Sequence, residues 1–226
     1  KKVARVPSRP LPSKSTSKSF LVFRSMSKIT LTYFNAPGRA EAIRVALFTA
    51  GVAFEDKRFG GVEEFMKAKP TIPGGSVPII EIDGKVYTQS AAIARWAGKK
   101  SNLYPKDELA ALRVDEVIDI CADISAKTPT SKDEAEKKKL REEFAAGFMK
   151  VKMDLLESYC GGGTIAGGSD ITLGDLTVAS MVDSVKTGNF DHIPGTYMDS
   201  YPKMCALADK VEKSDIMTKY KASQAK

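Results

Sequence analysis

The sequence predicts an α/β half followed by an all-helical half, and three observations carry that reading. Apolar and polar residues nearly alternate from Ile29 to Phe34, then give way past Arg39 to an apolar stripe at helical period. A hairpin signal, Asp83-Gly84, sits between two short apolar runs. Beyond Lys106 every periodic stretch is helical.

In the first strand, alternation puts Ile29, Leu31 and Tyr33 on one face. Asn35, Pro37 and Gly38 break the run, and Ala40, Ile43, Ala46, Leu47 and Ala50 make the stripe of the first helix, ended by Gly51. Tyr33 therefore stands at a strand end, just before a helix N-terminus and Arg39, where an anion is favoured. On the strand pattern alone, a packing aromatic with its hydroxyl at the rim is the favoured reading. Ala53–Phe59 suits a second strand. Gly74–Tyr87 suits a third and fourth around the Asp83-Gly84 turn, with Pro78 confined to a strand's first residue because it cannot donate to the ladder. Gln89–Ala97 opens a helix with Ser90 near its N-cap.

Lys99–Lys106 reads as a polar connector, dividing residues 28–98 from residues 107–226. In the second half Val114, Val117, Ile118, Cys121 and Ile124 form one stripe, and Asp115, Asp119 and Asp123 an acidic ladder that repels itself unless something answers it. Leu140, Phe144, Phe148, Val151, Leu155 and Tyr159 mark a long helix. Cys160–Ser169 is glycine-rich, but Gly168 stands where a phosphate-binding loop needs Lys, so it is a connector. Thr172-Leu-Gly-Asp175 makes a capping box with Ile171 and Leu176 as staple, and losing the Asp175 carboxylate is expected to cost about 1 kcal/mol.

Charge is unevenly spread. The chain carries a formal net charge of +7, yet residues 1–28 hold eight Lys or Arg and no acid. The remaining 27 basic residues face all 28 acids, so the body is near neutral. Residues 1–27 are basic, rich in Ser and Pro, and too poor in apolar residues to order themselves. They read either as part of an organelle transit peptide or as sequence ahead of a start at Met26. No basic, aromatic-lined surface follows, which argues against nucleic-acid binding. No apolar run approaches the roughly 18 residues of a membrane span. Three scattered cysteines, Cys121, Cys160 and Cys205, exclude a Cys-x-x-Cys dithiol and a zinc ribbon and suit a reducing cytoplasm. His192, the only histidine, reads as structural or surface.

Tyr33-Phe-Asn-Ala-Pro-Gly-Arg-Ala-Glu41 resembles the opening motif of sigma-class glutathione S-transferases, the group containing glutathione-dependent prostaglandin D synthases and S-crystallins. The similarity runs over about residues 28–226. It implies a thioredoxin-like glutathione-binding domain plus an all-α domain, a homodimer, no metal, and glutathione as co-substrate for attack on small electrophiles. It implies that Tyr33 donates to the glutathione sulfur with Arg39 in support. Val77 then pairs its backbone with the cysteinyl unit beside a cis Pro78, whereas the residues alone favour trans. Gln89 and Ser90 hold the γ-glutamyl carboxylate, and Asp123 of the partner subunit meets the γ-glutamyl amine. Phe65, where the family often has Trp, and Lys69 serve the glycine end. The electrophile pocket gathers Ala36, Pro37, the end of the Asp115–Ala126 helix and the C-terminal tail. The alternatives are a non-catalytic ligand-binding or structural protein of the same fold, and a glutathione-dependent isomerase.

Overall fold

The computed structural model describes residues 27–224; the expected basic extension lies, but for Ser27, outside them. A four-stranded sheet has the order β2-β1-β3-β4: β1 (Ile29–Phe34), β2 (Glu55–Phe59), β3 (Ile79–Ile82) and β4 (Lys85–Tyr87). β2 runs parallel to β1, which needs a crossover, and α1 (Glu41–Thr49) supplies it. β3 and β4 are antiparallel, joined by Asp83 and Gly84 at φ 51° and 81°, the left-handed pair that a two-residue hairpin requires. β1 buries Ile29 and Leu31, and Ala40 just before α1 is buried with Ile43, Ala46 and Leu47 of α1, so both apolar patterns meet in one core. A smaller cluster on Phe59, Ile72 and Val77 lies apart, closed by Phe34 and Phe65 of α2 (Val62–Ala68).

α3 (Ser90–Ser101) packs beside α1. It carries three residues expected in the connector, Lys99 to Ser101, because Lys99 and Lys100 rest their ammonium groups on the rings of Tyr104 and Trp96. Left-handed Asn102 then ends the helix. The second half comprises α4 (Glu108–Lys127), α5 (Glu134–Phe144), α6 (Lys150–Tyr159), α7 (Leu173–Lys186), α8 (Pro202–Glu212) and α9 (Asp215–Gln224). All five apolar positions expected on α4 are buried. Its acidic ladder is answered from the other half: Arg95 of α3 reaches Asp115 at 2.6 Å and Asp119 at 2.7 Å, which binds the two halves together.

The long helix departs from a single stripe. α5 and α6 are continuous through a π turn, Ala145–Met149, and the buried apolar residues are Phe144, Met149, Met153 and Leu156. One extra residue in the wide turn shifts the register by about a third of a turn. Val151 is consequently 67% exposed and Leu155 37% exposed.

The capping box at α7 is more deeply embedded than its sequence signature suggests. Asp175 is fully buried and accepts from the backbone N–H of Ile165 and of Thr172, each at 2.7 Å, and from the Thr172 hydroxyl at 2.6 Å. One carboxylate thus ties the glycine-rich connector to the helix start. Asp175→Ala strands two buried N–H groups, each costing roughly 1–3 kcal/mol when unpaired, so the expected loss rises from about 1 to about 3 kcal/mol. The shift in the urea unfolding midpoint measures it.

Candidate active site

The strand directions bring the expected site residues to one end of the sheet. Tyr33 is at the C-terminal end of β1. The β1–β3 register ends with Thr32 opposite Ile79, so continuing it sets Val77 level with Phe34. Tyr87 pairs with Ile80, so β4 finishes at the same end and delivers Gln89 and Ser90 there. The Val77–Pro78 bond is cis, as the resemblance implied, and both residues are buried. Gln89 has φ 72° immediately before α3, whose first residue is Ser90. Phe65 packs against Phe34 at 5.2 Å between ring centroids, and the Lys69 ammonium stands 5.9 Å over Phe65. Lys69 is exposed, with its stem along Gly75.

The Tyr33 hydroxyl lies on a short 3-10 turn, Gly38–Ala40, that leads into α1. The backbone N–H of Arg39 donates to it at 3.3 Å. A hydroxyl that accepts there still has its own proton to donate. Gly38 makes the approach possible: at φ +44°, a Cβ on it would lie 2.8 Å from the Tyr33 oxygen. Ser180 of α7 secures that glycine by donating to its carbonyl at 3.2 Å. The Arg39 guanidinium, expected beside the phenol, instead donates to the Ser125 carbonyl at 3.4 Å, near the end of α4. Arg39 therefore reaches Tyr33 through its backbone, because its side chain is drawn to the other half.

The cation beneath the loop is Arg44. It is 1% exposed and donates to the carbonyls of Ala36 at 2.7 Å and Phe34 at 3.1 Å and to Asp56 at 3.0 Å. Its guanidinium carbon is 5.8 Å from the Tyr33 ring centre. Sequence reasoning gave it no role, although a signal was there: Arg44 falls four residues after Ala40 and three before Leu47, on the apolar stripe itself. A charge in that position has to be occupied by partners.

Asp123 belongs to a different neighbourhood within the chain, where it meets Lys152 of α6 at 3.2 Å. His192 is paired with Glu134 at 3.2 Å, at the surface. Burial pushes the thiols of Cys121 and Cys160 up to about 12, so neither is a nucleophile at neutral pH. Among the described residues no cluster of metal-binding side chains occurs. A cavity of about 380 Å³ opens beside Pro37 between α1, α7, α8 and α9, bordered by Glu41, Ser180 and Lys221. It touches the C-terminal helix expected at the electrophile pocket, but not α4. A larger one, about 930 Å³, lies under β4 and Trp96 and contains none of the expected site residues.

Comparison with known proteins decides the family. The family models described as "Glutathione S-transferase, N-terminal domain" and "Glutathione S-transferase, C-terminal domain" match residues 29–99 and 121–224. This chain belongs to the glutathione S-transferase family. Its co-substrate is accordingly glutathione. The chain is 34% identical over 178 residues to the class-mu 28 kDa glutathione S-transferase of Schistosoma haematobium, covering 75% of this transferase and 84% of that one. Among solved structures, it resembles prostaglandin synthase D of Nilaparvata lugens at TM-score 0.73 and 33% identity, covering 85% and 96% of the two chains. The Fasciola hepatica sigma-class transferase gives TM-score 0.69 and 28% identity over 89% and 98%. These likenesses cover both halves, in agreement with the expected thioredoxin-like domain followed by an all-α domain.

The closeness of Gly38 to the phenol gives this transferase a sensitive point. Gly38→Ala introduces both a positive-φ side chain and a clash with Tyr33. A catalytic phenol predicts that glutathione-dependent turnover falls about 10-fold or more through displacement of the hydroxyl, while the backbone strain costs roughly 1–2 kcal/mol. Measuring kcat/KM beside the unfolding midpoint separates the two effects.

Proposed function

We propose that this transferase conjugates the glutathione thiolate to small electrophiles, with Tyr33 stabilising the sulfur. The observation that carries the reading is the Tyr33 hydroxyl seated on the Gly38–Ala40 turn, accepting the Arg39 N–H and free to donate through its own proton. A free thiol ionises near 8.5, and lowering that by about 2 units takes about 2.7 kcal/mol of differential interaction. One charge-assisted hydrogen bond plus the positive end of a helix supplies this much. Accepting an N–H polarises the phenol and strengthens its donation.

In the same reading Val77, itself buried with Pro78 just before β3, offers its backbone to the cysteinyl unit as a short added strand. Gln89 and Ser90 receive the γ-glutamyl carboxylate at the start of α3, where backbone N–H groups converge. Phe65 and Lys69 serve the glycine end. Arg39 acts through its backbone on the phenol and through its side chain on the end of α4. Free cysteines favour a cytoplasmic setting; no helix among the described residues is long and apolar enough to cross a membrane.

A glutathione-dependent isomerase is the second reading, favoured by the Nilaparvata lugens relative being a prostaglandin synthase. The two differ in stoichiometry. Conjugation consumes one glutathione per turnover, and isomerisation returns it. Tyr33→Phe is expected to lower kcat/KM for a chloronitrobenzene about 100-fold with little change in folding, the loss of one preorganised donor. Wild-type turnover no faster than the uncatalysed reaction rules the conjugation reading out.

We propose a homodimer as well. Leu109 and Leu112 of α4 and Val151 and Leu155 of α6 leave exposed apolar side chains on packed neighbouring helices, and Asp123 can meet glutathione only from a partner subunit in the reading above. Sedimentation equilibrium should return twice the chain mass, and Leu112→Glu should shift it toward the monomer. A wild-type monomer excludes the dimer and with it the role of Asp123.

A further inference from the structure

The loop after Tyr33 is held by a second arginine, from outside α1. Arg58 stands opposite Tyr33 in the parallel β1–β2 register. Its guanidinium donates to Asp56 at 2.7 Å, to the Asn35 side-chain oxygen at 3.1 Å and to the Gln224 side-chain oxygen at 3.0 Å. Asn35 is inside the Tyr33 loop. Asp56 is the carboxylate that Arg44 also holds, and Arg44 grips the carbonyls on either side of Asn35. Gln224 is at the end of α9, which is seated on α1 by Tyr220, 4% exposed, edge-on to Phe48 at 5.7 Å. An unbroken run of hydrogen bonds therefore leads from the C-terminal helix to the backbone that aims the phenol.

We propose that Arg58 is a positioning residue for Tyr33, and that the seating of α9 is felt at the glutathione sulfur through it. The inference rests on the reading that Tyr33 stabilises the thiolate. The guanidinium is planar, with its donors at set angles, so anchoring it on Asp56 and Gln224 aims the remaining donor at Asn35. Lysine carries its three donors on one mobile atom and lacks the planar fork that spreads them toward acceptors on separate elements. A loop tethered at Asn35 keeps the hydroxyl at one distance from the sulfur, and stabilisation of a developing charge depends steeply on that distance.

The test titrates the thiol of glutathione bound to the full chain by its ultraviolet thiolate absorbance, beside the pH profile of kcat/KM. Arg58→Gln is expected to raise the ionisation midpoint by about half to one pH unit, a 3- to 10-fold loss of thiolate below the midpoint. It should lower kcat/KM by the same factor and leave KM for glutathione within about 2-fold. Arg58→Lys recovers part of the shift. Gln224→Ala, an exposed change that leaves the core intact, moves the midpoint the same way by a smaller amount. A depressed wild-type midpoint that Arg58→Gln leaves in place overturns this inference alone. One that moves with Arg58→Gln and not with Gln224→Ala overturns the part assigned to α9. A wild-type midpoint equal to that of free glutathione overturns both this inference and the proposed role of Tyr33.

Discussion

A buried guanidinium is the constraint on which the rest depends. Arg44 is shut away from water, and its charge is matched by Asp56, by Glu41 at 3.8 Å and by a set of main-chain carbonyls from the turn between β1 and α1. Removing such a group from solvent is expensive unless every donor is taken up. The turn must therefore fold over it in one shape. That requirement converts a stretch of small and irregular residues, Asn35 to Gly38, into a rigid saddle. The saddle presents Tyr33 at the head of α1. The strand, the turn and the helix are separate elements in the chain, and the arginine makes them a single object.

Much of this was legible in the residues, and what was not has identifiable causes. The strand at Ile29–Phe34 and the stripe on α1 were clear because each period has one interpretation when one face is buried. The hairpin was clear because Asp-Gly answers a specific demand on φ. The α4 stripe was clear for the same reason as that of α1. The face of α6 was not, since a π turn inserts one residue without any local mark, and periodicity carried across it points to the wrong side. The depth of Asp175 was also hidden: a capping box is a local pattern, whereas its third partner, Ile165, comes from the preceding connector. Arg44 and the Arg58–Asn35 contact escaped notice for a related reason. A charged residue's partners are set by the tertiary fold, and only its unusual place on an apolar face hints that partners exist.

The two halves meet through polar contacts as well as through the shared core. Arg95 reaches across to two acids of α4, Arg39 reaches to the end of the same helix, and Ser180 of α7 reaches back to Gly38. Each of these is directional, so the helical half does more than cover the sheet. It sets the angle at which the C-terminal end of β1 faces α4 and α7.

The near-contact between Gly38 and the phenol has a further meaning in evolutionary time. The two positions cannot vary independently: with tyrosine at 33, every side chain at 38 meets the oxygen before it meets anything else. A lineage that gave up the phenol would relieve that crowding first, and only afterwards could position 38 begin to drift toward residues that tolerate its backbone. The order of those two events is dictated by geometry, because the glycine answers both to the phenol beside it and to its own left-handed backbone.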